Sequence, residues 1–309
     1  MRKGGPTARH EEGGVLGVLR QPEFWDGAEE ATKPKADPRN TLNELTGEQW
    51  LFFTRSVMST AYPSELSHGL RKAHGANKPP RLMKELIEFF TKGGERVLDP
   101  FAGVGGTLLG AALCEPPRQA VGIEISPRWI EIYHRVMDRH RHQLAEGELL
   151  EGDCRRVLAG LPEESFDFIT TDPPYNIHLE RTMCDGKYDA THPNRRSDYD
   201  MRSEEAGDLA NLEGYPAYLE AMQEVFAGCL RVLRPGRYLA LIVRDAYQKG
   251  RYLMTHADLA VRAEAAGFVL KGDKIWYQNG ARLRPYGYPF GFVPNIVHQH
   301  ILIFRKERR

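Results

Sequence analysis

The chain has 309 residues, 41% hydrophobic and 27% charged, enough for one large α/β domain, or one domain with insertions. Lys plus Arg and Asp plus Glu both total 42, so no global positive charge announces a nucleic-acid partner and any basic surface must be local. The four cysteines (Cys114, Cys154, Cys184, Cys229) show neither metal spacing nor a disulfide framework, and the basic N-terminus has no apolar signal core; with no apolar run of membrane-spanning length, a reducing cytoplasm is the expected setting.

Residues 1–40 mix Gly, Pro and charge with little periodicity, and are expected to be a flexible tail able to meet substrate. One domain is expected from 41 to 309, with inserted loops at about 176–214 and 279–295. Thr46 caps a helix through Trp50, Phe52, Phe53 and Val57, with Glu48 and Gln49 in its first turn, expected to pack on the domain. The loop from His74 to Pro80 leads into an amphipathic helix, with Leu82, Leu86, Ile87 and Phe90 at helical spacing. Gly93 and Gly94 stop it.

The strand Glu95–Leu98 then runs directly into Asp99-Pro100-Phe101-Ala102-Gly103-Val104-Gly105-Gly106-Thr107. A Gly-rich turn between a strand and a helix, here Leu108–Leu113, is a nucleotide-cofactor signature. It departs from the dinucleotide fingerprint, because Gly103 and Gly105 are present but Leu108 stands where the third glycine belongs. Asp99 would repel a pyrophosphate. It suits a cofactor with a positive group, such as the amino-acid end of S-adenosylmethionine.

A second strand, Ala120–Glu124, ends in a carboxylate roughly 20 residues past the Gly-rich loop, where acidic side chains accept from ribose hydroxyls. Ser126 and Pro127 open a helix through Ile130, Tyr133, Val136 and Met137. A third strand, Glu148–Glu151, ends at Gly152-Asp153, and Asp153 is placed to accept from a cofactor adenine amino group. As single residues, Glu124 and Asp153 would read as a strand end and a helix N-cap; as members of an ordered series they read as functional.

The apolar strand Phe166–Thr170 is followed by Thr171-Asp172-Pro173-Pro174-Tyr175. The two prolines cannot donate to a ladder, so they end the strand and stiffen the backbone. An acid, a backbone carbonyl and an aromatic ring are then held at a strand's C-terminal end, where open α/β sheets bind ligands. This suits methylation of an exocyclic amino group, a poor nucleophile because its lone pair is delocalised. Hydrogen bonds from the amino group to the Asp172 carboxylate and the Pro173 carbonyl would favour a tetrahedral nitrogen. Tyr175 would stack on the flipped-out base.

A polar stretch from Asn176 to about Gly214 follows, with Arg181, Lys187, His192, Arg195 and Arg196. It reads either as a grip on the phosphate backbone or as a solvated loop, and its acids Glu204, Glu205 and Asp208 argue against its lying wholly on DNA. The helix Tyr218–Val232 and the strand Tyr238–Val243 come next. Asp245 reads as a loop salt bridge. After a helix at 255–266 and a strand at 268–277, the loop 279–295 interleaves Arg282 and Arg284 with Tyr286, Tyr288, Phe290 and Phe292. That pattern suits nucleic-acid contact and loop packing equally. His298 and His300 share a strand face, but no carboxylate or cysteine nearby in sequence completes a metal site, so no metal is expected.

The ordered series DPFAGVGGT, GIE, GD and TDPPY, each at a strand end, resembles the S-adenosylmethionine-dependent DNA methyltransferases that methylate adenine N6 or cytosine N4. The resemblance covers about residues 40–309, with the motifs in gamma-type order. It implies an α/β, Rossmann-like, seven-stranded methyltransferase sheet, mostly parallel with one antiparallel strand and helices on both faces. It implies catalysis by Asp172, Pro173, Pro174 and Tyr175. The cofactor S-adenosyl-L-methionine would meet Lys78, Pro79, Asp99, Pro100, Phe101, Ala102, Gly103, Gly105, Thr107, Glu124, Ile125, Asp153, Cys154 and Asp172. Double-stranded DNA with a flipped base would meet Asn176, Arg181, Arg195, Arg196, Arg282 and Arg284. The same likeness would make Asp245 a residue of the target-base pocket. The Asp in Asp172-Pro173-Pro174-Tyr175 leans toward adenine N6; cytosine N4, an RNA amino group and an inactive nucleic-acid-binding subunit are the alternatives. A cognate restriction endonuclease is a partner the family allows.

Overall fold

A computed structural model describes residues 36–174 and 205–308. Tyr175, Asn176, Arg181, Arg195 and Arg196, like the expected N-terminal tail up to residue 35, lie outside the described residues. The described residues form one compact unit.

Helix α1 (Gly47–Phe53) begins with a reciprocal capping box: Gln49 N donates to Thr46 Oγ1 at 3.2 Å, and Thr46 N donates to Gln49 Oε1 at 2.9 Å. It stops short of Val57, which lies instead in a two-residue strand, β1 (Val57–Met58). The physical reason is Lys274, whose ammonium donates to the Phe53 and Arg55 carbonyls and so satisfies acceptors at the helix end. Phe53 stacks on Phe89 with centroids 3.8 Å apart, which packs α1 on the domain as expected.

The remaining elements are α2 (His68–Arg71), α3 (Pro80–Phe90), β2 (Arg96–Asp99), α4 (Gly106–Ala112), β3 (Gln119–Glu124), α5 (Pro127–His140), β4 (Glu148–Glu151), α6 (Cys154–Gly160), β5 (Phe166–Thr171), α7 (Tyr215–Val232), β6 (Leu233–Val243), β7 (Ala246–Gln248), β8 (Arg251–Leu253), α8 (Thr255–Ala265), β9 (Val269–Tyr277) and β10 (His298–Arg305). Among the described residues, eight strands form one sheet in the order β1-β9-β10-β6-β5-β2-β3-β4, and β7 with β8 make a separate hairpin. Within the large sheet only β10 runs against its neighbours. The mostly parallel sheet with one reversed strand is the one anticipated from the sequence; β1 adds an eighth, edge strand.

The core divides by the two-residue period of the strands. Val97, Ala240, Ile242, Ile301 and Ile303 pack on one face with α3, α4 and α5. Their sequence neighbours Leu98, Leu239, Leu241, Leu302 and Phe304 pack on the other with α6, α7 and α8. Strand β6 begins earlier than its apolar run, at Leu233, because Leu233 pairs with Phe166. The buried Asp167 beside it accepts from Arg96 N at 3.0 Å and from Arg234 at 2.5 Å, so this polar strand start is satisfied.

Strand order places the site. From β2 the chain winds outward through β3 to β4, then returns to β5 on the other side of β2. The reversal opens a crevice at the C-terminal ends of β2 and β5. The Gly-rich loop after β2 and the Asp172 turn after β5 therefore face each other, although Asp99 and Asp172 are distant in sequence.

Candidate active site

Asp99 ties the two loops together. Its Oδ1 accepts from Thr171 Oγ1 at 2.6 Å and from Phe101 N at 3.0 Å; its Oδ2 accepts from Thr107 Oγ1. Burial pushes its carboxyl up to about 6; the threonine and backbone donors pull it back, and nearby Asp172 adds repulsion. Asp99 is thus enclosed by protein donors and does not reach the cleft. The negative charge that suggested a cofactor contact holds the loop in place instead.

Lys78 forms a buried ion pair with Asp172, its ammonium donating to Asp172 Oδ2. The loop that carries Lys78 is built on the buried Arg71, whose guanidinium donates to the Glu65 carbonyl at 2.9 Å, the Leu66 carbonyl at 3.1 Å and the Lys78 carbonyl at 3.4 Å. Pro79 then opens α3. The segment before the Gly-rich loop is thereby fastened to the Asp172 turn.

Between these loops lies a cleft of about 760 Å³, open mouth included. Pro100, Phe101, Gly103, Glu124, Ile125, Asp153, Cys154, Asp172, Pro173 and Pro174 line it. Lys78, Pro79, Asp99, Ala102, Gly105 and Thr107 do not; the last three shape the loop from behind. Gly105, at φ +78°, has no room for a Cβ, which would sit 2.1 Å from Tyr133.

Glu124 is held by backbone donors: Gly103 N reaches Oε2 at 2.8 Å and Ser126 N reaches Oε1 at 2.8 Å. Burial pushes its carboxyl up to about 7, partly offset by these bonds. Asp153 is both the N-cap of α6 and a lining residue of the cleft. Burial alone would raise its carboxyl. Arg155 outweighs that, through its backbone N–H at 2.9 Å and its guanidinium at 2.7 Å, and holds the carboxyl below the usual range.

His74, Trp129, Ser126 and the turn Gly207–Ala210 also line the cleft, though the sequence did not single them out as contacts. His74 stands edge-on to Trp129 at 4.8 Å, and its Nδ1 is buried without a hydrogen-bond partner. Burial, reinforced by Lys78 and Arg128, pushes its imidazole down to about 4, so it is neutral near pH 7. Its place in the His74–Pro80 loop was the only available signal. Asp208 comes from the acidic run that argued against DNA contact; it caps a short 3-10 turn, accepting from Ala210 N at 2.8 Å.

The residues fit S-adenosylmethionine. Four carboxylates (Glu124, Asp153, Asp172, Asp208) surround the cleft, which suits a cationic, hydroxyl-bearing ligand and excludes a polyphosphate. Gly103 leaves a space that a Cβ would narrow to 3.2 Å from His74, and the orphaned His74 Nδ1 awaits a polar partner.

Comparison with known proteins agrees. The sequence model of the N6/N4 DNA methylases matches residues 21–135 and 166–309. The chain belongs to this family of DNA methylases. It is a methyltransferase, and the S-adenosylmethionine expectation stands. Among curated relatives, the tRNA (guanine(10)-N2)-dimethyltransferase of Pyrococcus abyssi is 26% identical over 167 residues, 54% of this chain and 41% of that protein. The enzyme of the same name from Methanothermobacter thermautotrophicus is 32% identical over 99 residues, 32% of this chain and 27% of that one. The type II methyltransferase M.Cfr9I of Citrobacter freundii is 42% identical over 60 residues, 19% of each. The matches span less than half the length of these relatives. TTHA0409 of Thermus thermophilus, described as a candidate DNA modification methylase and solved with S-adenosyl-L-methionine, is 28% identical, covers 51% of this methylase and 52% of that chain, and has a TM-score of 0.34.

The remaining site expectations fall in two places. Arg282 and Arg284 belong to the loop after β9, whose aromatics Tyr288, Phe290 and Phe292 are 79%, 95% and 86% exposed. Asp245 does not line the cleft; it accepts from Tyr252 Oη at 3.0 Å and His256 N at 3.2 Å. Folding also brings Asp245 and His256 to His300, supplying the carboxylate that the sequence around His298 and His300 lacks. Among the described residues no helix is long and apolar enough to cross a membrane.

Proposed function

We propose that this methylase transfers the methyl group of S-adenosylmethionine to adenine N6 in duplex DNA, acting on a base flipped out of the stack. The observation that carries the reading is Asp172, held by Lys78 at the sheet's switch point beside a cleft lined by carboxylates. An ion-paired Asp172 is a hydrogen-bond acceptor. With the Pro173 carbonyl it would take the two amino hydrogens and turn the nitrogen lone pair toward the donor, and Tyr175 would stack on the base. S-adenosylmethionine, when bound, supplies an electrophilic methyl on a sulfonium. Glu124, braced by two backbone N–H groups, would accept from its ribose, and Asp153 from its adenine amino group. Phe101 would pack against it, with Lys78 and Pro79 near its methionine end. Transfer is direct, with no covalent enzyme intermediate, and most of the acceleration comes from positioning. Asn176, Arg181, Arg195, Arg196, Arg282 and Arg284 would hold the DNA. A cytoplasmic setting and a cognate restriction endonuclease belong to the same reading.

A second reading, an RNA amino group as substrate, is favoured by the two archaeal relatives named for tRNA guanine. Labelled S-adenosylmethionine, offered with unmethylated duplex DNA or with tRNA, separates the two once the product nucleoside is identified. The expected product is N6-methyladenine in DNA. Asp172→Ala should abolish it while still binding the cofactor in calorimetry, which shows that the variant is folded. N4-methylcytosine alone would replace the adenine assignment, and label in tRNA alone would replace DNA.

A further inference from the structure

Outside the cleft, three residues from three elements converge. Asp245 follows β6, His256 is the second residue of α8, and His300 lies in β10 opposite Val243. They gather at the sheet edge that carries the catalytic turn, because Leu241 of β6 pairs with Thr171. One ligand atom from each lies within 4.8 Å of the other two. Asp245 is 5% exposed and His300 6%.

The geometry points to a site for a divalent transition-metal ion, zinc by preference, held by Asp245, His256 and His300. The decisive atom is His300 Nε2. The other ring nitrogen, Nδ1, lies 2.9 Å from Asp273 Oδ2. An ionised carboxylate can only accept, so Nδ1 donates to Asp273 and Nε2 is the ring nitrogen left to face Asp245. That nitrogen is buried without a hydrogen-bond partner, 3.8 Å from Asp245 Oδ2. A neutral imidazole would present a lone pair to the carboxylate there, and an ion held between the two would satisfy both. The separation is too long for a shared proton. It is close to the roughly 3.3 Å between two ligands of a tetrahedral zinc with bonds of about 2.0–2.1 Å.

His256 adds the third donor. Its Nδ1 sits 2.7 Å from Asp245 Oδ1, and its ring stacks on His300 with centroids 3.7 Å apart and planes 5° from parallel. For both rings to hold one ion, the His256 proton would have to sit on Nε2 and its ring would have to turn out of the stack. The supporting shell is already present. Asp273 orients His300 in a carboxylate–histidine–metal arrangement, while Tyr252 Oη and His256 N fix Asp245. Two imidazoles and one carboxylate suit zinc over magnesium or calcium, which prefer all-oxygen sites. The ion would pin the chain after β6, the start of α8 and the start of β10 into one clamp at the sheet edge that carries Asp172.

The test uses the full-length chain with any purification tag removed, stripped with EDTA and dialysed. ZnCl2 is titrated by calorimetry and CoCl2 by visible absorbance. The expected result is one saturable equivalent of each metal and a tetrahedral cobalt band. Both should be lost in His256→Gln/His300→Gln and kept in His298→Gln, whose ring lies 5.1 Å from His300. If the double variant does not fold, Asp245→Asn takes its place. Absence of saturable uptake by the wild-type protein, or undiminished uptake by the variant, overturns the site. Neither readout involves methyl transfer, so failure here is distinguishable from failure of the DNA methylation reading.

Discussion

Glu124 is a carboxylate in a position that disfavours its charge. Burial lifts its carboxyl to about 7, while donors from Ser126, Gly103 and Ile125 hold it from rising further. Ribose hydroxyls favour the ionised form, so cofactor affinity should be full above about pH 8 and fall as pH drops through 7. The loss can approach tenfold per pH unit below that point. Folding responds with the opposite sign. In the window between the ordinary glutamate value and 7, the folded state holds a proton that the unfolded state has released, so this group's contribution to stability declines as pH rises. Calorimetric titration of S-adenosylmethionine at several pH values reads the first effect. Glu124→Gln should bind weakly and without the pH slope; a variant that keeps the wild-type slope would remove Glu124 from the ribose assignment. His74 does not compete for this inflection, since it is neutral across the window.

At the scale of elements, the loop between β9 and β10 places apolar surface where water would reject it. Its base is fixed: Asn295 accepts from Arg284 N at 2.8 Å and donates to Arg284 O at 2.9 Å, while Asn279 Nδ2 donates to the Ser59 carbonyl at 2.5 Å. Its tip presents Phe290 and Phe292 almost wholly to solvent. Strand β9 runs in the direction of β5, so this loop leaves the sheet at the edge that carries the Asp172 turn. Phe290→Ser and Phe292→Ser should each weaken binding of labelled duplex DNA by about 1–3 kcal/mol if a base stacks there, with a stability change within roughly 0.5 kcal/mol. Anisotropy and thermal melts measure the two; unchanged affinity would return the loop to simple structure. The arginines and aromatics were visible in the sequence, but their exposure was not, because the same composition packs loops as readily as it meets nucleic acid. Asp99 shows the converse. Its position at a strand end was legible, yet Thr107 and Thr171, which turn it inward, act through a register that appears only on folding.

For the whole molecule, the sheet was legible because alternate strand residues must serve two cores, and the switch point follows from motif order. The edge strand β1 was not legible, since two residues owe their pairing to Ile275 and Trp276 far along the chain. The Asp245–His256–His300 cluster was hidden for the same reason: the register of β10 on β6 makes it. Equal totals of acidic and basic residues, 42 each, have a consequence at this scale. Without a net field, attraction to nucleic acid comes from local contacts, and these can be counted. Each phosphate neutralised on duplex DNA contributes about 0.9 to the slope of log affinity against log salt. Arg282→Ala/Arg284→Ala should therefore flatten the slope by about 2 between roughly 50 and 200 mM salt, weakening all DNA sequences alike. Methyl transfer at saturating DNA should persist, because neither side chain belongs to the cleft. An unchanged slope with weaker binding would move both arginines from phosphate contact to base reading or to loop structure.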